Sequence, residues 1–371
     1  TAASVGRAGH AVGADGMRNV ICIVLFLLVL TSHARAAELP EDLTDALPDQ
    51  AAEWMEEIPE DDFAGGVTGI LEQMGNEAGD IVHQRVRGAA GVLVVVVLCG
   101  ILEGAFQGIG GKPSPFLPMV GALSVTLLTA GSLDSLMGLG ASTIEDLSVF
   151  SRALLPTLAA ATAASGSVTT ATVQQVTTVF LVDVLVSLIR GLLVPLVYVY
   201  VGVLAASAAL AESRLGVLAE GLKKAVTWCL TTALVLFTVY LSVSRVVTGS
   251  VDAASVKVAR AAISGVVPVV GGIISDAAET VLAGAGMLKN TVGVFGMLAI
   301  LAACAYPFLQ LGIQYLLYKL TAFAAGAVGA PGLHKLIDGL GGAFGLILGM
   351  TGSCALLLLI SVLSSVAAVV P

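Results

Sequence analysis

Residues 89–109 read AAGVLVVVVLCGILEGAFQGI, which is 21 consecutive positions with a single charged side chain, Glu103. A helix needs about 20 such residues to cross the hydrocarbon core of a bilayer. Comparable apolar runs follow at 116–138, 225–247, 291–312 and 340–370, and runs of less regular length at 147–164, 176–210 and 315–330. The sequence therefore predicts an all-α, polytopic membrane protein with about six to eight transmembrane or re-entrant helices.

The composition of the whole chain also favours a membrane protein. Of its 371 residues, 57% are hydrophobic and only 12% are charged, whereas soluble globular proteins carry about 25% charged residues. Half the usual charge cannot cover the water-facing surface of a chain of this length, so a soluble fold is excluded. The high apolar content also excludes intrinsic disorder.

The net charge of −9 is concentrated in one short segment. Residues 38–88 hold fourteen acidic residues against two arginines, while the remainder of the chain is close to neutral. Because no basic patch is present, nucleic acid is not a predicted partner. The apolar runs instead make the lipid bilayer a predicted partner. We interpret residues 37–88 as an acidic extracytoplasmic segment that precedes a polytopic membrane domain, 89–371. Within that domain, residues 248–290 mix charged and apolar positions as amphipathic or re-entrant helices do.

The N-terminal residues are typical of a secretory signal. Met17-Arg18-Asn19 is followed by the apolar run Val20–Thr31 and by Ala34-Arg35-Ala36, which is the order of basic start, short apolar core and small-residue cleavage site. We therefore predict a signal peptide at 17–36, with an uncleaved signal anchor as the alternative. Residues 1–16 show no pattern and are predicted to be a non-native or disordered extension.

Ionisable residues within the apolar runs are the candidates for a functional site. A charge at the bilayer centre costs about 3 kcal/mol or more unless it is paired or faces water, so such residues suggest a polar pathway through the membrane. The alternative is a structural role, in which they lie near span ends and pair or reach the interface. The five candidates are Glu103, Asp134, Arg152, Asp183 and Arg190.

Glycines recur every four residues in two of the predicted spans. This spacing places them on one face of a helix, where the bare backbone allows a second helix to approach closely. The spacing does not say whether that helix belongs to the same chain or to another. The two candidate packing sets are Gly100, Gly104, Gly108 and Gly341, Gly345, Gly349.

The loops give a conflicting orientation. Three basic segments are predicted to be cytoplasmic, whereas the acidic pair Glu145–Asp146 is predicted to be outside. The basic segments are Lys112, Arg214–Lys224 and His334–Lys335. This assignment needs an odd number of crossings between residues 146 and 214. Either a re-entrant segment at 147–166 or two short spans within 176–210 would supply it, and both remain open.

The sequence lacks the motifs of an enzyme. GGKPS at 110–114 has Phe106 where a phosphate-binding loop requires glycine, and no HExxH or GxSxG motif occurs. The five cysteines lie singly in apolar runs, which is typical of small buried side chains and not of a metal site. We predict no enzymatic activity, no catalytic residue, no metal and no cofactor.

The stretch from Lys257 to Gly296 reads KVARAAISGVVPVVGGIISDAAETVLAGAGMLKNTVGVFG. It resembles the stage III sporulation protein AE family of endospore-forming bacteria through PVVG at 268–271, DAAETV at 276–281 and LKNTVG at 288–293. Members of that family also begin with a signal peptide and an acidic stretch before a polytopic body. The residues that carry the resemblance are Pro268, Gly271, Asp276, Glu279, Lys289, Asn290, Thr291 and Gly293.

The resemblance implies a membrane component of the channel complex, or feeding tube, that links the mother cell with the forespore and is required for late forespore development. It implies a multi-pass protein of the mother-cell membrane around the forespore. The implied partners are the other stage III channel subunits (ring-forming proteins, an ATPase and small membrane subunits) and a forespore membrane partner. The alternatives are a stand-alone secondary transporter or permease, and a purely structural membrane scaffold.

Overall fold

The computed structural model describes residues 41–56, 62–108, 116–210, 213–266, 271–328 and 331–367. All regular elements in these ranges are helices, which confirms the all-α prediction. The predicted extension at 1–16 and the predicted signal peptide at 17–36 lie outside the described residues and stay predictions.

Nine α-helices follow one another along the described chain. They are α1 (Glu41–Asp45), α2 (Asp49–Glu56), α3 (Phe63–Gly108), α4 (Phe116–Ala164), α5 (Val168–Leu188), α6 (Val194–Leu210), α7 (Ser213–Val266), α8 (Gly271–Ala327) and α9 (Pro331–Val366). A π-helical turn, Ile189–Leu193, joins α5 to α6, so these two form one continuous helix. The short helices α1 and α2 each begin directly after a proline, Pro40 and Pro48, of the acidic segment.

Six helical stretches are long and apolar enough to cross a membrane, which confirms a multi-pass protein. They contain 31 to 49 residues, whereas about 20 residues cover the hydrocarbon core. At 1.5 Å per residue even the shortest is about 46 Å long. The helices therefore extend well beyond a hydrocarbon layer about 30 Å thick.

Three helices continue through positions where the sequence suggests a break. Helix α3 runs through the predicted domain boundary at residue 88, and α8 runs through residues 312–315. Helix α4 continues through Glu145–Asp146 and Pro156. Its neighbours Ile144 and Leu147 are buried while the two acids are exposed, so the charges occupy the outer face of an unbroken helix instead of a loop.

Side-chain contacts give each long helix a direction. Helix α9 runs antiparallel to α8, because Lys319 contacts Asp338 while Phe308 lies beside Gly352. It also runs antiparallel to α5–α6, because Thr178 contacts Ser361 while Tyr200 contacts Gly339. Helix α7 runs antiparallel to α5 through Thr170–Thr248 and Thr177–Tyr240.

The remaining two helices are oriented by their contacts with α8. Helix α4 is antiparallel to α8 through Thr129–Tyr318 and Gly140–Leu311, and α3 is parallel to it through Arg85–Gln310 and Gly100–Val328. The six long stretches therefore alternate in direction.

This alternation removes the conflict in orientation. The helix ends that flank residues 109–115, 211–212 and 329–330 all stand at one end of the molecule, so the described basic segments, Arg214–Lys224 and His334–Lys335, share that end. Neither alternative considered above occurs. Residues 147–164 belong to α4, and residues 168–210 form one helix with the π turn inside it.

Helices α8 and α9 form the centre of the packed body. In each of these two helices, 61% of an apolar 18-residue stretch is buried. The corresponding share in the other four spans is 17% to 28%. Tyr318 of α8 packs edge-on against Phe344 of α9, with ring centroids 5.1 Å apart, and its hydroxyl donates to Thr129 of α4. The α8–α9 hairpin is thus the most buried part of the described chain, with an aromatic contact at its centre.

Two of the six candidate packing glycines allow α9 to approach α8. A Cβ added at Gly341 would lie 3.3 Å from the Tyr318 Cβ, and one at Gly345 would lie 3.2 Å from the Tyr315 ring. By contrast, a Cβ at Gly349 would meet nothing within 4 Å. Within one copy of the chain, the close contact at Gly345 is therefore not continued at Gly349, one helical turn further along α9.

The glycine set at the C-terminal end of α3 likewise contains one position in close contact and one without. A Cβ at Gly100 would lie 2.6 Å from Val328, whereas one at Gly104 would meet nothing within 4 Å. The environment of Gly108 lies outside the described side chains. Close approach also occurs at glycines outside the two sets, since a Cβ at Gly140 would lie 2.5 Å from Ile347.

Candidate functional site

Helices α4 and α5–α6 form an antiparallel hairpin that carries most of the predicted polar residues. The turn between them contains Gly166, whose φ of 95° favours glycine over any residue with a side chain. Three polar pairs connect the two arms, and we call them the polar ladder. The pairs are Arg152–Asp183, Glu145–Arg190 and Asp134–Tyr198.

The pair nearest the turn joins two of the predicted pathway residues. Nη2 of Arg152 donates to Oδ1 of Asp183 at 2.8 Å. The side chains are 63% and 44% exposed, so the pair stands on the outer surface of the hairpin. These residues are 31 positions apart in the chain, and only the register of the hairpin brings them together.

The second pair lies two helical turns further along. Nη1 of Arg190 stands 2.9 Å from Oε2 of Glu145, with the two side chains 50% and 53% exposed. Arg190 belongs to the π turn Ile189–Leu193, and π turns inside α-helices occur frequently at functional sites.

The third pair is nearest the end of the molecule that carries the basic segments. The hydroxyl of Tyr198 donates to Oδ1 of Asp134 at 2.9 Å. Eighteen residues separate Asp134 from Arg152 along α4, which is about 27 Å of helix. The ladder therefore covers a depth comparable to the hydrocarbon core of a bilayer.

Four of the five predicted pathway residues thus belong to one surface. Glu103 is the fifth; it lies half-exposed on α3 and takes no part in the ladder. Two ladder members, Glu145 and Tyr198, are missing from the sequence-based set. The signal for Glu145 is its position seven residues before Arg152, which repeats the spacing and charge order of Asp183 and Arg190.

A second polar seam connects α5 with α9 and is buried. The Gln174 amide donates to Ser364 at 2.8 Å and accepts from Ser365 at 2.7 Å, and Thr178 pairs with Ser361 at 2.7 Å. In the sequence Gln174 belongs to a short polar stretch before the apolar run 176–210, and Thr178 lies just inside that run. The structure places that stretch inside the body, where a hydrogen bond between helices contributes about 0.6 to 2 kcal/mol.

Two further polar contacts tie α8 to its neighbours. Arg85 of α3 donates through Nη2 to Gln310 of α8, and the Gln310 amide donates to the Tyr306 hydroxyl at 2.5 Å. Nine residues further along α8, Nζ of Lys319 contacts Oδ1 of Asp338 of α9 at 2.5 Å, with both side chains partly buried. These contacts fix the α8–α9 hairpin from within.

The residues of the family-like motif fall on both sides of the described boundary. Pro268 lies outside the described residues, and Gly271 begins α8. Asp276 and Glu279 belong to α8, and their side chains lie outside the described set.

The later part of that motif is described in full. Lys289 is buried, Asn290 is exposed and Thr291 is half-exposed. A Cβ added at Gly293 would overlap the side chain of Val366 of α9. This part of the motif therefore includes a close contact of the α8–α9 hairpin.

The described parts of the chain contain no group of side chains that could bind a metal ion. Nowhere in them do three or more His, Cys, Asp or Glu side chains come together as a metal-binding group. The polar side chains described above bind one another or neighbouring helices, an arrangement suited to joining helices and to presenting charge at a surface.

Comparisons with known proteins agree with the resemblance seen in the sequence. A family model described as stage III sporulation protein AE matches residues 50–369. Stage III sporulation protein AE of Bacillus subtilis (strain 168) is 24% identical over 245 residues, which are 66% of this chain. The match spans 61% of the length of that curated relative. No solved structure matches the chain. On the family match over residues 50–369, the chain belongs to the stage III sporulation protein AE family.

Proposed function

We propose that the protein is a non-enzymatic membrane subunit of the channel complex that links the mother cell with the forespore and is required for late forespore development. The family supplies the setting in sporulation. The observation that carries the proposal of a subunit is the polar ladder, which leaves charged side chains on the outer surface of two apolar spans.

The energetic argument concerns what covers that surface. An exposed ion pair adds little to the stability of its own chain. A charged side chain that faced hydrocarbon at mid-depth would cost about 3 kcal/mol or more, and pairing with an opposite charge would recover only part of that cost. The side chains of Glu145 and Arg190 are each about half exposed within a single copy. Water in a conduit or polar groups of another subunit would remove the remaining cost, and both belong to a channel assembly.

The position of the acidic helices fits the same assembly. Helices α1 and α2 precede the first span and belong to the acidic segment. We assign them to the space between the two membranes, where they would meet a forespore membrane partner. The three basic segments at the opposite end would then face the mother-cell cytoplasm, as the positive-inside rule requires, and would meet the ATPase and the small membrane subunits.

The test is complementation of a spore-forming strain that lacks its own family member. We expect the wild-type chain to restore late forespore gene expression, and an affinity-tagged copy to co-purify with other stage III subunits. Restoration without co-purification of any such subunit would contradict the channel-complex proposal.

Reconstitution in liposomes separates the alternatives. Solute flux through the protein alone would establish a stand-alone transporter and overturn the proposal. Flux that requires the partner subunits supports it. Assembly of the complex with no flux under any condition would identify a structural scaffold.

A further inference from the structure

The two ion pairs of the polar ladder form an alternating pattern of charge. At the upper level, on the turn side, α4 carries the positive Arg152 and α5 the negative Asp183. At the lower level the signs are exchanged, with the negative Glu145 on α4 and the positive Arg190 on the π turn. Both intervals are seven residues, or about 10 Å, so the four charges occupy the corners of a rectangle.

Such a rectangle is complementary to itself under one symmetry operation. Two copies of a membrane protein that insert in the same direction can be related by a two-fold axis along the membrane normal, parallel to the helices. That axis places α4 of one copy opposite α5 of the other at the same height. Glu145 then faces Arg190 of the second copy, and Arg152 faces Asp183 of the second copy.

Each level would become a closed square of four alternating charges. The guanidinium group has five N–H donors, so one arginine can serve the carboxylate of its own copy and that of the second copy together. Within one copy these exposed pairs stabilise the fold little. Their regular arrangement is better explained by a contact that uses them at an interface.

The side chains around the charges complete a surface suited to burial. Val149 lies between the two charged positions of α4 and is 56% exposed. Phe180 and Val184 flank Asp183 on α5 and are 64% and 46% exposed. An apolar surface with a small number of matched charges is typical of the buried centre of a protein interface.

We propose that a second copy of this chain binds the exposed face of the α4–α5 hairpin through a two-fold axis along the membrane normal, with the four ladder charges of each copy meeting their opposites. This inference is independent of the channel proposal, since a dimer can form in a cell that makes no other sporulation protein.

The experiment uses charge reversal in trans, in a non-sporulating bacterial host. Two differently tagged copies are produced together, extracted in mild detergent and purified through one tag. Wild-type copies are expected to co-purify. Two copies of Glu145→Arg, or two of Arg190→Glu, place like charges together, and recovery of the second tag should fall about tenfold or more.

The decisive sample combines one copy of Glu145→Arg with one copy of Arg190→Glu. Each copy then repels itself within its own hairpin, but every charge at this level meets an opposite charge on the second copy. Recovery should return to near the wild-type value. If the mixed pair is recovered no better than the like pairs, or if wild-type copies do not co-purify, the proposal is overturned.

A matched control and a second measurement guard against a folding defect. Glu72→Arg reverses an exposed charge on α3, which is not part of the hairpin, and should leave recovery unchanged. In a chain with its five cysteines replaced by alanine, Val149→Cys in one copy and Ser187→Cys in the other should cross-link with a short thiol reagent. Either variant alone should cross-link far less, and equal cross-linking in all three samples would contradict the two-fold arrangement.

Discussion

Two antiparallel hairpins of the same chain use opposite means of packing. In the α8–α9 hairpin, glycines of α9 lie against Tyr315 and Tyr318, and 61% of an apolar 18-residue stretch of each helix is buried. In the α4–α5 hairpin, the connections visible at the surface are ion pairs that stay about half exposed. One hairpin is completed by its own chain, whereas the outer face of the other is left for a neighbour.

The difference shows how a membrane protein separates folding from assembly. Lipid is as apolar as leucine, so helices associate in the bilayer through close van der Waals contact and hydrogen bonds. Small residues at the α8–α9 contact provide both close approach and rigidity. The charged face of α4–α5 adds little to folding and is free to determine which surface binds it. The following substitutions test that division.

The largest effect on stability is expected from Gly345→Leu. The added side chain would enter the Tyr315 ring, since even a Cβ would lie 3.2 Å from it, and would force α8 and α9 apart. Overpacking of this kind costs about 3 kcal/mol. Unfolding in detergent, followed by circular dichroism, should show the loss.

The matched control is Gly349→Leu, one turn further along α9. A Cβ at this position would meet nothing within 4 Å, so we expect a change in the free energy of unfolding of less than about 0.5 kcal/mol. Equal destabilisation by the two substitutions would show that the α8–α9 contact does not depend on the glycine at 345.

A smaller loss is expected when one partner of the half-buried ion pair in the same hairpin is removed. Lys319→Met leaves the Asp338 carboxylate partly buried without its partner. Breaking a fully buried pair costs about 3 to 5 kcal/mol; partial exposure reduces our expectation to about 1 to 2 kcal/mol. The double variant Lys319→Met, Asp338→Leu should recover most of the stability, and a double variant no better than the single one would contradict this explanation.

The buried seam between α5 and α9 should contribute less again. Thr178→Val removes the hydroxyl that pairs with Ser361 at 2.7 Å, and an interhelical hydrogen bond in a membrane protein contributes about 0.6 to 2 kcal/mol. A double-mutant cycle with Ser361→Ala isolates the pair. Thr172→Val is the control, because Thr172 is exposed and donates to its own helix; it should be close to neutral.

The smallest effect on folding is expected at the polar ladder. Arg190→Gln breaks its pair with Glu145, and exposed ion pairs contribute about 0.2 to 1 kcal/mol. The same variant should nevertheless reduce the yield of heat-resistant spores, because the charge acts outside its own chain. A normal spore yield together with a large loss of stability would reverse the roles that we assign to the two hairpins.

The sequence predicts the fold class well because it depends on the length of apolar runs. Those runs predict a polytopic helical protein of six to eight spans, and the described residues contain six. The positions at which the helices end are predicted less well. Glu145 and Asp146 look like a loop in one dimension, but their positions on the outer face of α4 make a break unnecessary.

The sequence predicts most of the charged residues of the candidate site but not which of them pair with each other. Charge in an apolar run identifies Arg152, Asp183 and Arg190 from sequence alone. Asp183 and Arg190 share a helix and stand two turns apart, which is too far for contact. The partners, Arg152 and Glu145, come from a helix whose register depends on the turn at Gly166, and no local pattern specifies that register.

The π turn between α5 and α6 has a consequence for how insertions and deletions are tolerated. A π turn holds one more residue than the α-helical turn it replaces, and each residue of an α-helix turns the chain by about 100°. Deleting Gly191 would let the turn revert to regular α-helix while the later residues of α6 keep their faces, so Tyr198 would still reach Asp134 and Tyr200 the Gly339 carbonyl. Deleting Leu196, which lies in regular α-helix, would instead rotate every later side chain of α6 by that angle and break both contacts. The π turn is thus a point at which this helix can lose a residue without changing its faces.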